Sequence, residues 1–268
     1  MVAGAVLDWL AERPLLLATD FDGTLADIAP TPNEAVMSED VAAALAQLAA
    51  HPRATIAVVS GRRMEDVRVR THDVAAYVGG LHGLEVAGPK GGFLHPALKD
   101  VEPVLADIRQ RAETRLEWCD GVVIEDKQYA LTCHVRRVAA DQAGRALGQF
   151  LDVAQPALDA DVLRALPGAQ ALELLPSVDW HKGKAVEWIR SVVDTGPQSG
   201  VGVVYLGDDR TDEDAFATLG RRGISIGVGA RPSARLIQHR LDGPAAVGVL
   251  LERLHAALPY RAHLGMIS

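Results

Sequence analysis

Cysteine is nearly absent. Only Cys119 and Cys133 occur in 268 residues, too few for a disulfide framework and without the CxxC spacing of a thiolate metal site or redox pair. Both are expected to be half-buried thiols in a reducing compartment, the cytoplasm. Aromatic residues are also scarce, at 4%, so the core has to be built from Leu, Val, Ile and Ala. No run of 18 uncharged apolar residues occurs, which leaves no candidate for a membrane-spanning helix. The segment Met1 to Pro14 lacks a basic stretch, and Asp8, Glu12 and Arg13 interrupt its apolar run, unlike a signal peptide. Basic charge is in deficit: 27 Lys and Arg against 35 Asp and Glu, a formal −8. Nucleic-acid binding needs a basic face, so no such partner is expected, and any phosphate has to be met by a local basic pocket.

What remains is ordinary globular composition, 49% apolar and 23% charged, which excludes disordered, collagenous and low-complexity classes. The length holds one large domain or two small ones. Several apolar runs end abruptly in polar loops. Leu15 to Thr19 runs into Asp20-Phe21-Asp22-Gly23-Thr24, Thr55 to Val59 into Ser60-Gly61-Arg62, Val203 to Leu206 into Gly207-Asp208-Asp209, and Ile224 to Ile226 into Gly227-Val228-Gly229. Continuous rather than alternating hydrophobicity predicts strands covered on both faces, as in a parallel sheet. Helical patterns lie between them: one capped by Ser38 and running to Ala50, another from Lys184 to Val193. Strand and helix in alternation is the α/β signature, and ligands of such folds sit beyond the carboxyl ends of the strands. The polar loops above are therefore expected to converge.

The middle of the chain differs. Val101 to Thr114 and Ala139 to Val153 read as helices. Val122 to Lys127 and Ala130 to Val135 read as a hairpin turning near Gln128, and Asp161 to Leu166 and Gln170 to Leu175 as a second strand pair joined at Pro167-Gly168. This predicts an α+β insert with an antiparallel sheet at residues 88–172, between core segments 1–87 and 173–268.

Four groups of residues carry chemistry. Asp20 and Asp22 sit two apart at a strand end, where the two-residue period aims both carboxylates the same way. Like charges that close need a cation or a shared proton. A metal-assisted nucleophile and acid/base pair satisfies this need, and a solvated turn is the alternative. Asp208 and Asp212 end another strand and open a helix. Acids there stabilise the helix dipole, but Asp208 precedes the helix, and several hard oxygen ligands suit Mg²⁺. Ser60-Gly61-Arg62 offers a hydroxyl, close backbone approach and a positive charge, or a plain helix cap. Lys182 is an ordinary surface lysine unless it faces a phosphate and carboxylates, where it balances them.

Taken in order, Asp-x-Asp-Gly-Thr, Ser-Gly-Arg, Lys182 and Gly-Asp-Asp-x-x-Asp resemble the haloacid dehalogenase superfamily of phosphotransferases over the whole core. Within it the chain resembles the trehalose-6-phosphate phosphatase family. The pieces that carry this are Gly80-Leu81-His82-Gly83-Leu84-Glu85, Val123-Ile124-Glu125-Asp126-Lys127, Glu173-Leu174-Leu175-Pro176, His181-Lys182-Gly183-Lys184-Ala185 and Gly207 to Phe216. Two departures fall in the insert. Val135 stands where many relatives have an aromatic, and Gln128 where many have a small residue.

The resemblance implies a doubly wound, Rossmann-like parallel sheet with an inserted α/β cap between the second and third motifs. It also implies hydrolysis of trehalose 6-phosphate through an aspartyl phosphate. By the same resemblance Asp20 is the nucleophile and Asp22 the acid/base. Asp20, the Asp22 backbone carbonyl and Asp208 hold Mg²⁺, with Asp212 close by, and Thr24, Ser60 and Lys182 bind phosphoryl oxygens. Glu125, Lys127 and Glu173 resemble the sugar-reading residues, with Gly61, Arg62, His82, His134 and Arg136 as further candidates. A solvent-facing ion pair is the alternative for Glu125 and Lys127. The rival substrates are sucrose 6-phosphate or a mannosyl phosphate. The rival class is a non-catalytic sugar-phosphate sensor, which predicts loss of Asp20, Asp22, Lys182 or Asp208. The expected partner is a small-molecule sugar phosphate, with no nucleic acid and no membrane, and the expected form is a monomer.

Overall fold

A computed structural model describes residues 2–10, 13–194 and 200–260. Met1 and Glu12, used above to read the N-terminus, lie outside the described residues. The chain forms two compact units. One comprises residues up to Phe93 and those from Trp180 onward, the other Leu94–Asp179.

In the larger unit the elements are α1 (Val2–Leu10), β1 (Leu15–Thr19), α2 (Glu39–Ala49), β2 (Ala54–Val59), α3 (Met64–Arg70), β3 (Tyr77–Gly80), β4 (Glu85–Gly88) and β5 (Gly91–Leu94). In the smaller unit they are α4 (Leu98–Arg115), β6 (Val123–Asp126), β7 (Leu131–His134), α5 (Ala140–Asp159), β8 (Leu163–Gly168) and β9 (Ala171–Pro176). The chain returns to the larger unit through α6 (Lys182–Val193), β10 (Gly202–Gly207), α7 (Arg210–Leu219), β11 (Gly223–Val228), β12 (His239–Leu241) and α8 (Pro244–Ala257). It leaves the larger unit at Phe93 and re-enters at Trp180, and these two rings stack with centroids 4.5 Å apart.

The large sheet has eight strands in the order β12-β11-β10-β1-β2-β3-β4-β5. It is parallel from β12 to β3, and β4 pairs antiparallel to β3. β1 is buried along its whole length. Leu15 and Leu17 pack with Leu10 of α1, Val41, Leu45 and Leu48 of α2, and Val247 and Leu251 of α8. Leu16 and Ala18 pack with Val186 and Ile189 of α6 and Phe216 and Leu219 of α7. Helices on both faces explain the unbroken apolar run. Ser38 caps α2, its hydroxyl accepting from the Val41 N–H at 3.3 Å.

Register places the polar loops. Thr19 lies opposite both Val58 of β2 and Leu206 of β10, so the residues after each strand emerge at one level. β2 and β10 leave β1 on opposite sides, which opens the crevice typical of doubly wound sheets at the carboxyl end of β1.

Two predicted boundaries differ. α6 starts at Lys182, not Lys184. Gly183 hides the first turn from a propensity reading, yet it is required there, since a Cβ would lie 2.6 Å from the Asp214 carbonyl oxygen of α7. Pro167 and Gly168 lie inside β8 rather than at its turn. β8 is an edge strand of the small sheet, ordered β6-β7-β9-β8, where a missing N–H is tolerated. The turn uses Ala169 and Gln170 instead, with Gln170 at φ 56°.

The small sheet is antiparallel throughout. Alternation gives it two faces. Leu131, Cys133, Leu163, Leu172 and Leu174 pack against Leu105 and Ile108 of α4 and Phe150 of α5. Glu125, Lys127, Thr132, His134 and Glu173 share the other parity and form the polar face. Whereas the predicted insert spans 88–172, the compact unit is Leu94–Asp179. Residues 91–93 belong to β5 of the large sheet, and Glu173 lies on β9 of the small one.

Candidate active site

Asp20 follows β1 directly, and its N–H donates to the Leu206 carbonyl at 2.9 Å, which ties the loop to β10. Lys182, in the first turn of α6 and only 2% exposed, reaches Asp20 Oδ1 at 2.9 Å and Asp212 Oδ1 at 2.8 Å. Carboxylate oxygens of Asp20, Asp208 and Asp212 lie within 4.8 Å of one another. Asp20 and Asp212 share this buried ammonium, with Asp208 beside them. Burial pushes the Asp20 carboxyl well above its usual range against the pull of Lys182, and Asp212 and Asp208 push it further up. Burial, then Asp212, pushes Asp208 up to about 7, opposed by Lys182. For Lys182 burial opposes the charge, but Asp20 and Asp212 overcome it and hold the ammonium above its ordinary value.

Asp212 is the most tightly held. Its Oδ1 accepts from Lys182 Nζ at 2.8 Å and from the Tyr205 hydroxyl at 2.7 Å. Its Oδ2 accepts the N–H groups of Asp208 and Asp209, each at 3.0 Å. The bond from Asp209 belongs to the capping box that starts α7. Asp208 Oδ1, in contrast, is buried without a hydrogen-bond partner, as is Thr24 Oγ1. A buried acceptor left open beside carboxylates that resist ionisation fits a hard divalent cation. Gly23 permits the crowding: at φ 78°, a Cβ on it would stand 2.1 Å from Asp208 Oδ2.

The Asp22 side chain turns to Arg62. The β-strand ends at Thr19, Phe21 is buried in the core, and Asp22 pairs with Arg62, Nε to Oδ2 at 2.6 Å. Arg62 also bonds Asp66 Oδ2 and the Pro32 carbonyl, both at 2.7 Å. Ser60 is buried, and its hydroxyl accepts from the Arg62 N–H at 3.3 Å. The N–H groups of Leu81 and His82 close onto the carbonyls of Arg62 and Ser60 at 2.8 Å. Leu81 and His82 both hold positive φ, 51° and 57°. The His82 ring lies against Gly61, where a Cβ would be 2.8 Å from the ring. Bulky residues in this region are strained, and such strain gathers at functional sites.

The structure thus brings Asp20, Lys182, Asp208 and Asp212 into one cluster and Asp22, Ser60, Gly61, Arg62 and His82 into an adjoining network, with Thr24 buried on the Asp20–Asp22 loop. The remaining candidates lie on the smaller unit. Lys127 Nζ bonds Glu173 Oε1 at 2.6 Å, and Thr132 Oγ1 bonds the same oxygen at 3.3 Å. His134 Nε2 meets Glu125 Oε2 at 2.8 Å. Burial raises the Glu125 carboxyl, but the bond to His134 and the charges of Lys127 and His134 together outweigh it and hold the group below its usual range. Arg136 lies in the turn beyond β7, partly buried. Sequence reasoning missed Tyr205, Asp66 and Arg231, whose guanidinium stands 4.0 Å from Asp208 Oδ2. Tyr205 carried one signal: a buried tyrosine in an aliphatic strand needs a partner for its hydroxyl.

Solved structures share this fold. The C-terminal domain of Candida albicans trehalose-6-phosphate phosphatase superposes with a TM-score of 0.80 at 21% identity, covering 96% of this chain and 97% of that one. A haloacid dehalogenase-like hydrolase from Bacteroides thetaiotaomicron superposes with a TM-score of 0.62 at 14% identity, covering 90% of this chain and all of the other. The fold is therefore of the haloacid dehalogenase type. In sequence, a trehalose-phosphate phosphatase of Mycobacterium bovis (strain BCG / Pasteur 1173P2) is 37% identical over 95% of this chain. The chain spans 66% of that relative's length. The trehalose-phosphatase family model matches residues 18–239, and the chain belongs to that family. No helix among the described residues is long and apolar enough to cross a membrane.

Proposed function

We propose that the protein is a Mg²⁺-dependent phosphatase that releases trehalose and phosphate from trehalose 6-phosphate. The observation that carries this reading is the buried Asp20–Lys182 pair beside the unpartnered Asp208 Oδ1, in a chain of the trehalose-phosphatase family. Asp20 and Asp208, with the Asp22 carbonyl, are the residues that would hold the cation. When bound, Mg²⁺ supplies neutralisation of the phosphoryl charge. Asp20 attacks phosphorus and becomes an aspartyl phosphate, and Lys182, Ser60 and Thr24 bind the phosphoryl oxygens. Asp22 gives its proton to the departing sugar oxygen and then takes one from the water that cleaves the aspartyl phosphate.

The unit Leu94–Asp179 serves as the cap. Its polar face, with Glu125, Lys127, Glu173, His134 and Arg136, reads the sugar hydroxyls. Such groups both donate and accept, as hydroxyl-rich ligands require. The two unpaired thiols, Cys119 and Cys133, fit a cytoplasmic setting.

The experiment is phosphate release by the full chain from trehalose 6-phosphate, sucrose 6-phosphate, a mannosyl phosphate and an aryl phosphate, with Mg²⁺ and in excess chelator. The reading requires a preference for trehalose 6-phosphate and loss of turnover in chelator. A preference for another sugar phosphate overturns the substrate, and full turnover in chelator overturns the cation.

A further inference from the structure

A carboxylate has about four acceptor positions, two on each oxygen. Those of Asp212 are met by four protein donors: Lys182 and Tyr205 on Oδ1, and the Asp208 and Asp209 N–H groups on Oδ2. Three of these are fixed by other duties. The Asp209 N–H closes the capping box of α7, the Asp208 N–H is fixed in the main chain before it, and Lys182 pairs with Asp20. Among the described residues, the Tyr205 hydroxyl bonds no other group. It projects from the centre of β10, fully buried, with its ring edge-on to Phe216 at 5.6 Å. Asp212 is one of three acids with carboxylate oxygens within 4.8 Å of one another, the others being Asp20 and Asp208, and its Oδ1 also meets Lys182 Nζ, which lies 2.9 Å from Asp20 Oδ1.

We propose that Tyr205 is a positioning residue that fills an acceptor position on Asp212 Oδ1, so that Asp212 stays outside the cation's coordination sphere. The inference rests on the reading that Asp20 and Asp208 hold a divalent cation. Its consequence is selectivity. Mg²⁺ gives up water reluctantly and typically keeps several waters beside one or two carboxylates, whereas Ca²⁺ takes six to eight oxygen ligands and gains from each added carboxylate. A site in which Asp212 is withheld therefore favours Mg²⁺. Removing the phenolic hydroxyl opens one acceptor position on Oδ1 to the cation and favours Ca²⁺.

The test compares the full chain with Tyr205→Phe, which removes one oxygen and keeps the ring. Binding of Mg²⁺ and Ca²⁺ is measured by calorimetry. Inner-sphere water on Eu³⁺ that Mg²⁺ can displace is counted from luminescence lifetimes in H₂O and D₂O. The expected result is one inner-sphere water fewer in Tyr205→Phe and a Ca²⁺-to-Mg²⁺ affinity ratio raised several-fold. A purely structural role for the ring moves neither quantity. An unchanged water count and ratio, in a parent that binds Mg²⁺, overturns the role of Tyr205 alone. A parent that binds no Mg²⁺ overturns the cation reading with it. Should Tyr205→Phe fail to fold, Asp208→Asn and Asp212→Asn give the second measurement. Mg²⁺ affinity is expected to fall at least about tenfold further in the first, since a direct ligand is lost there, and equal losses in the two overturn the proposal.

Discussion

Arg62 grips Asp22 with two parallel bonds, Nε to Oδ2 and Nη2 to Oδ1, each 2.6 Å long. The guanidinium is steadied from behind by Asp66, which Arg70 holds in turn at 2.8 Å. This fork fixes both oxygens of the group proposed to meet the leaving sugar oxygen, and Lys, a point charge on a flexible stem, cannot do so. Arg62→Lys should therefore lose about 10- to 150-fold in kcat/KM, the equivalent of a charged hydrogen bond of roughly 1.5–3 kcal/mol. Steady-state kinetics on trehalose 6-phosphate checks it, and an Arg62→Lys variant as active as the parent would show that the clasp plays no part in turnover.

Gly23→Ala should displace Asp208. The new Cβ would stand 2.1 Å from Asp208 Oδ2, on a backbone at φ 78°. The conformational strain alone costs about 1–2 kcal/mol, and the carboxylate has to move as well. Calorimetry should find weaker Mg²⁺ binding together with a lower melting temperature. A variant that binds Mg²⁺ as tightly as the parent would remove Asp208 from the cation site.

Glu125→Ala separates sugar reading from phosphoryl transfer. Loss of a hydrogen bond to a charged group costs roughly 1.5–3 kcal/mol, or about 10- to 150-fold in kcat/KM on trehalose 6-phosphate. The same variant should hydrolyse a small aryl phosphate nearly as well as the parent. Equal losses on both substrates would point to a defect in folding or in the cation site. No loss on either would make Glu125 a structural partner of His134.

Cys133 is fully buried on β7, and burial, with Cys119 adding to it, pushes its thiol up to about 12. The folded chain keeps this proton where the unfolded chain gives it up, so stability falls as pH rises above about 9. The loss is at most about 1.4 kcal/mol per pH unit. A thiol reagent at pH 8 should label the Cys133 peptide only after denaturant is added. Ready labelling of the native chain would contradict this burial.

The carboxyl edge of the large sheet was legible because β1, β2 and β10 are buried on both faces and end in polar residues. Asp20, Ser60 and Asp208 followed from that pattern, and the family resemblance added their roles. β3 and β5 were not read, because Gly79-Gly80 and Gly91-Gly92 give no β-branched signal. The Arg62–Asp22 clasp was also beyond reach. Alternation along a strand aims Asp20 and Asp22 together, but the strand stops at Thr19, and the partner that decides Asp22 lies 40 residues away. Tyr205 was hidden for a similar reason: its hydroxyl meets Asp212 only once β10 and α7 have packed.

The nucleophilic role proposed for Asp20 can be tested on the protein itself. The full chain, turning over trehalose 6-phosphate with Mg²⁺, is quenched in acid within one turnover, and its peptides are analysed by mass spectrometry. The phosphoryl group should appear on Asp20 in the parent and be absent from Asp20→Asn, which should also lose about 10³-fold or more in turnover. Rapid turnover with no phosphoryl group on Asp20, or with the group on another residue, would contradict the account.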